Sequence, residues 1–286
     1  MNSPPQRTRR RFTLGRLVRG RRHLLQIGIG LLSLIILLAI SAPWISRHSP
    51  TALDLSQALR APSASHPFGT DQFGRDVFSR TLYAARIDLM VAFVIVGVAF
   101  VTGTAVGILA GWLGGWFDGI VMRTIDVALA FPFLVLVIAI VGIRGPGLSS
   151  LFVGVSIVAW VFYARLVAGE VRVVKREEYI RAARASGFSS LRILVRHLLP
   201  NVITQPLVYA SSDLVYALLL GASVSFLGLG VQPPTPEWGA MVLDGKTFLT
   251  SQWWIAFFPG LAIMVTGLAF ALIGDGLADL AREGRE

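Results

Sequence analysis

Glu177-Glu178-Tyr179-Ile180-Arg181-Ala182-Ala183-Arg184-Ala185-Ser186-Gly187, followed by Phe188 and the run to Leu199-Pro200-Asn201, is a charged interruption between two long apolar segments in the second half of the chain. Up to Ser186 it reads as a short amphipathic helix, with Tyr179, Ile180 and Ala183 at helical spacing on one side and arginines around the rest. Gly187 ends it, because a glycine just past the last helical residue takes the left-handed backbone that closes a helix. Ser189 or Ser190 caps a second helix running from Leu191 toward Leu199, and Pro200 is expected to stop that one. Two short helices joined at a glycine form a rigid knuckle of a size to sit in a groove on another protein. The alternative is an interfacial helix lying on anionic lipid.

What surrounds this knuckle follows from composition. The 286 residues are 54% hydrophobic and only 15% charged, and the mean hydropathy is +0.68, which defines a polytopic membrane protein. The net charge of +10 does not point to nucleic acid. Eight arginines lie between Arg7 and Arg22, with no acidic residue among them, directly before an apolar run. Such a flank is attracted to anionic headgroups and is held on the cytoplasmic side. There is no cysteine, so disulfides and thiolate metal sites are excluded.

Six apolar stretches are long enough to span a bilayer: 24–45, 89–110, 122–143, 148–168, 205–228 and 254–273. The first is too long for the apolar core of a secretory signal, and is expected to be an uncleaved anchor. This divides the chain into a basic cytoplasmic tail, 1–23, a membrane domain, 24–276, and a cytoplasmic tail, 277–286. Within the domain lie an external segment at 47–88, the cytoplasmic loop at 169–204 that holds the knuckle, and an external loop at 230–253. Charge agrees with this topology. The segment from Arg165 to Arg196 carries eight Lys or Arg against three Glu, while the first external segment has five Arg against four Asp and the last has Lys246 as its basic residue. Gly103, Gly107 and Gly111 share one helical face, which is expected to pack closely on another helix. Trp112 and Trp116 flank the next turn and are expected to sit at the membrane interface.

Ionisable groups are few enough to weigh singly. His66, Asp71 and Asp76 compose a conceivable metal set, but Arg75 and Arg80 stand ready to pair with the carboxylates. Asp126 is one helical turn from Arg123 and is expected to pair with it. Asp213 falls near mid-membrane, where a charge costs about 2.5–3.5 kcal/mol and is retained for function, so it is a candidate for the pathway or for contact with a partner. It also keeps open the reading of an ion-coupled carrier. Gly245-Lys246-Thr247 imitates the end of a phosphate-binding loop, but Ala240 stands where the first glycine belongs. The four histidines lie outside the spans without metal-ligand spacing, and no nucleophile motif appears, so no catalytic, cofactor or metal residue is assigned.

Three separated segments resemble one known family. Ala182, Ala183, Gly187, Leu199 and Pro200 fall on the E-A-A, three residues, G, nine residues, I-x-L-P pattern of bacterial ATP-binding-cassette importer permeases. Arg181 replaces its Glu, and His197 replaces its Ile. The segment His66-Pro67-Phe68-Gly69-Thr70-Asp71 through Arg80 is similar to the C-type permeases of dipeptide, oligopeptide and nickel importers, as is Ala222 to Gly239 with its Pro233-Pro234-Thr235-Pro236-Glu237-Trp238 core. The resemblance implies an all-α fold with six transmembrane helices of the type I importer permease kind, in a bacterial inner membrane with both termini inside. It implies a second, different permease, two cytoplasmic ATPases that carry the ATP and Mg, and an external substrate-binding protein. Tyr179, Ala182, Ala183, Arg184, Gly187, Leu199 and Pro200 would be the ATPase-coupling residues. Peptides are the expected cargo, with nickel or another small solute as the alternative.

Overall fold

The computed structural model describes residues 9–283, and among them there is no β-sheet, only helices and their connections. In chain order the helices are α1 Arg9–Ile45, α2 Val77–Leu113, α3 Gly115–Leu129, α4 Phe133–Arg144, α5 Leu148–Val174, α6 Glu178–Ala185, α7 Ser190–Ile193, α8 Leu199–Val202, α9 Thr204–Phe226, α10 Trp238–Gly245 and α11 Trp254–Glu283. Segments of α1, α2, α5, α9 and α11 are long and apolar enough to cross a membrane, and α3 and α4 pass the same test only as a pair, bent by 87° at their junction.

Several boundaries differ from the hydropathy reading. The helix expected to start at residue 89 begins at Val77, because Asp76 caps it by accepting from the Ser79 amide at 2.7 Å. The external segment 47–88 is therefore loop only to Asp76. The cytoplasmic loop 169–204 shrinks as α5 continues to Val174, and the external loop 230–253 contains α10. At the ends, α1 starts at Arg9 inside the basic tail and α11 runs on to Glu283; residues 1–8 and 284–286 of the two tails lie outside the described residues. The third span is broken rather than continuous. Pro132 disfavours helical backbone at Phe131 and lacks an amide of its own, so the helix stops at Leu129 and restarts in a new direction at Phe133.

The core forms where α2 packs along α5, and where α9 lies between α2 and α11, with α1 against α11. Gly103, Gly107 and Gly111 lie on the α5 side of α2, as their spacing predicts: a Cβ on Gly103 would stand 2.5 Å from the Trp160 carbonyl oxygen and from Tyr163 Cβ. Lipid-embedded helices gain from such close backbone approach because they associate by van der Waals contact. Another tie repairs a proline defect. Pro43 in α1 has no amide to offer the Ala39 carbonyl one turn back, and Arg86 of α2 donates to that carbonyl at 2.6 Å and to the next, Ile40, at 2.9 Å.

The end of the bundle opposite the knuckle, where the loop before α2 meets α10, is tied together by buried polar groups. Arg75 donates to Asp71 at 2.6 Å and to Asp244 of α10 at 3.2 Å, while Arg80 pairs with Asp71 at 3.6 Å. The expected pairing of carboxylates with these arginines thus holds for Asp71. Asp76 instead takes His66, at 2.9 Å. The His48 ring stacks on His66, and one ligand atom from each of His48, His66 and Asp76 lies within 4.8 Å of the others, so His48 replaces Asp71 in the grouping the sequence suggested. Glu237 caps α10 by accepting from Gly239 at 2.9 Å and Ala240 at 2.7 Å, and burial holds its carboxyl above the ordinary range. Glu237→Ala is expected to cost about 1–2 kcal/mol, from the lost cap, and to lower the detergent melting temperature of the purified protein.

Candidate functional site

The knuckle is built as a sequence of caps. At the end of α6 the Phe188 amide reaches the Ala183 carbonyl at 3.2 Å and the Gly187 amide reaches Arg184 at 3.0 Å, the paired closure that requires a left-handed residue between them. Gly187 supplies it at φ +78°. Of the two candidate serines Ser189 is the cap, accepting from the Arg192 amide at 3.4 Å. Pro200 does not stop the second helix. The chain widens into a π-helical turn over Leu194–Leu198, in which the Leu199 amide reaches back to Leu194, and Pro200 becomes the start of the next helical turn, α8. The Asn201 side chain then donates to the His197 carbonyl at 2.6 Å. The path from α7 into α9 is therefore one bent helical run.

Burial sorts the predicted coupling residues into two sets. Ile180 and Ala183 (7% exposed) face inward, where they meet Ile193, Phe188, Val174 and Trp112. Tyr179 does not share that face as expected; it is 43% exposed. Ala182, Arg184, Gly187 and Pro200 are exposed as well, and Leu199 is half-buried. Trp112 lies beneath the knuckle, with the Arg184 guanidinium 4.3 Å from its ring centre. His197, where the family pattern has Ile, stacks on Phe188 at 5.9 Å and fills the place with a ring.

Polar ties join the membrane helices just above this platform. Arg172 of α5 holds Asp118 of α3 through two hydrogen bonds of 2.6 and 3.1 Å, and Lys175 donates to the Gly111 carbonyl at the end of α2 at 2.6 Å. That lysine sits at a helix C-terminus, where a cation is favoured. Asp126 pairs with Arg165 of α5 and not with Arg123, because the turn between α2 and α3 swings α3 alongside α5.

A second candidate site lies within the span region. Asp213 is on α9, about 14 Å along the helix axis from Thr204 and about 20 Å from Phe226, and accepts a hydrogen bond from Tyr163 of α5 at 2.9 Å. It lines a cavity of about 400 Å³ with Phe133, Phe162, Tyr209, Ser212 and Tyr216, over a floor that includes Ile95, Val155 and Leu220. Phe133 reaches it because the chain breaks at Pro132: the ring packs against Phe162 at 5.7 Å and Tyr216 at 6.5 Å. Sequence reasoning found Asp213 from its depth, but not Tyr163, Phe133 or Tyr216, which are ordinary aromatic residues until α4, α5 and α9 bring them together.

Five long apolar helices, a bent helix pair, a capped helical knuckle at one end of the bundle and an acid-bearing cavity within it define a multi-pass membrane protein. The chain belongs to the family of binding-protein-dependent transport system inner membrane components, whose pattern matches residues 103–282. It is 41% identical over 247 residues to the probable D,D-dipeptide transport system permease protein DdpC of Escherichia coli K12, covering 86% of this chain and 83% of that one. It is 42% identical over 253 residues to the dipeptide transport system permease protein DppC of Alkalihalophilus pseudofirmus, covering 88% and 83%. Glutathione transport system permease protein GsiD of Escherichia coli O6 is 40% identical over 260 residues, or 91% and 86%. The chain is thus an inner-membrane, multi-pass permease subunit of this class, and the phosphate-loop imitation at Lys246 falls in a one-turn helix after α10.

Proposed function

We propose that this protein forms half of the translocation pathway of an ATP-driven importer of di- or oligopeptides, with a second, different permease as the other half. An external binding protein delivers the substrate, and two cytoplasmic ATPases hold the ATP and Mg. The reading rests on one observation above the rest: α6 presents Tyr179 and Ala182 outward from a closed, capped turn that is packed on the membrane helices through Trp112 and Val174. A groove on an ATPase that grips this face pulls on the ends of α2 and α5 directly. Nucleotide then shifts the permease between inward- and outward-open states by as much as the groove holds the knuckle more tightly in one of them. Both termini are cytoplasmic in this arrangement. The peptide cargo is favoured by the names of the relatives, which specify peptides, dipeptides or glutathione; nothing observed favours nickel or an ion-coupled carrier.

The test separates the two faces of α6. Ala182→Arg adds a long side chain to the exposed face and is expected to leave the purified permease as stable as the wild type, yet to reduce copurifying ATPase and peptide uptake at least tenfold, about 1.4 kcal/mol of lost docking. Ala183→Arg forces a charge into the Trp112 contact and is expected to destabilise the knuckle itself, read as faster proteolysis at 177–200. Wild-type uptake by the Ala182→Arg protein would refute the coupling role.

A further inference from the structure

Asp213 stands at mid-depth in a cavity that offers it no positive partner. The lining comprises one carboxylate, one serine, two tyrosines, two phenylalanines and aliphatic side chains, and no Lys, Arg or His. Among the described residues the carboxylate takes one hydrogen bond, from the Tyr163 hydroxyl to Oδ2. Asp213 is incompletely buried, so it still faces the open volume. Aromatic rings around one acid are the surroundings that attract an organic cation, since a ring face draws a cation within about 6 Å of its centre. They do not suit a bare divalent metal, which needs several oxygen or nitrogen ligands in a fixed shell. The volume of about 400 Å³ falls in the range, roughly 300–1,000 Å³, of pockets for small organic molecules.

Resting on the importer reading above, we infer that Asp213, with Phe133, Tyr209 and Tyr216 around it, binds the ammonium group of the substrate on its way through the membrane, so that the permease itself selects for a free amine. Tyr163 is a positioning residue in this scheme: its hydroxyl fixes the carboxylate while the other oxygen meets the cation. The Pro132 break supplies the lid side of the cage, because it sets Phe133 across the gap between Phe162 of α5 and Tyr216 of α9.

The membrane site can be read without interference from the binding protein by scintillation proximity, with tritiated dialanine on the complete importer in nanodiscs and no binding protein added. Unlabelled dialanine is expected to displace the label at a concentration at least tenfold below that of N-acetyl-dialanine, which has the same size and no ammonium. Asp213→Asn is expected to lose label at least tenfold, and Asp213→Glu to retain it. Equal displacement by the two competitors, or undiminished label on Asp213→Asn, would overturn the inference. So would loss of the second permease from the Asp213→Asn complex, which would make the residue a subunit contact. Failure of the importer reading has a separate signature: wild-type complex whose ATP hydrolysis does not respond to its binding protein.

Discussion

Gly187→Val is expected to abolish ATP-driven uptake while the chain still inserts into the membrane. The position has φ +78°, and a Cβ built there meets nothing within 4 Å. The penalty is therefore purely one of backbone conformation. An L-residue in left-handed backbone costs about 1–2 kcal/mol, and a β-branched one more. The helix it closes has only eight residues and cannot spare that closure. If the turn relaxes, the Phe188–Ala183 and Gly187–Arg184 bonds are lost, and the exposed face of α6 is no longer held at a fixed angle to Trp112. Gly187→Asn separates conformation from bulk. Asparagine tolerates left-handed backbone and has room here, so it is expected to retain at least half of wild-type uptake, whereas valine, of similar bulk, retains none. Uptake into proteoliposomes, with copurifying ATPase as the second readout, decides it; equal behaviour of the two variants would mean that bulk rather than conformation matters.

Gly103→Leu is expected to prevent α2 from docking on α5 and to leave little folded protein in detergent. Here the constraint is space. A Cβ would lie 2.5 Å from the Trp160 carbonyl oxygen, 2.5 Å from Tyr163 Cβ and 3.1 Å from the Ala164 amide nitrogen, and two of those atoms are backbone that cannot rotate away. Even Gly103→Ala should cost about 1–3 kcal/mol, the range for overpacking a filled core, and leucine more. The same shift displaces Tyr163 from Asp213, so a surviving fraction of Gly103→Ala should also retain less label in the dialanine experiment. Gly119→Ala is the control, because its Cβ would meet nothing within 4 Å. Thermal unfolding followed by size-exclusion chromatography in detergent should rank the three as leucine, alanine and the Gly119 control in order of decreasing damage. An unchanged melting temperature for Gly103→Leu would contradict the close approach.

The legibility of this protein divides along the range of the forces involved. The capped turn at Gly187 and the glycine face of α2 were legible in local chemistry, a residue type that tolerates positive φ and a four-residue repeat of missing side chains, whereas the Asp76 cap, which starts α2 at Val77, was missed because hydropathy alone set that boundary. Each of the six hydropathy stretches lies on helix, five on single long helices and the third on the bent pair α3 and α4, because burying a backbone in lipid leaves helices as the workable solution for a chain with no strand pattern. Local chemistry was read too strongly at Pro200, which a preceding π-helical turn delivers into the first turn of α8, where an amide has no helical partner to lose, and too weakly at Pro132, where the chain turns by 87°.

Partner choice is where pattern alone ran out. Arg123 is one turn from Asp126 in the sequence, yet Arg165 holds it, because α3 lies along α5 and exposed one-turn pairs contribute little. Helical spacing set Ala183 and Ile180 apart from Ala182, but only the docking of α6 shows that Trp112 and Val174 cover that side and that Tyr179 lies off it. Membrane passage, helix caps and family membership follow from residue types and their spacing, which act over a turn or two of chain. What covers the inward face of the knuckle, and the aromatic cage at Asp213, depend on how α2, α4, α5 and α9 cross. Such crossings are decided by close packing among residues tens to more than a hundred positions apart, which no short-range pattern records.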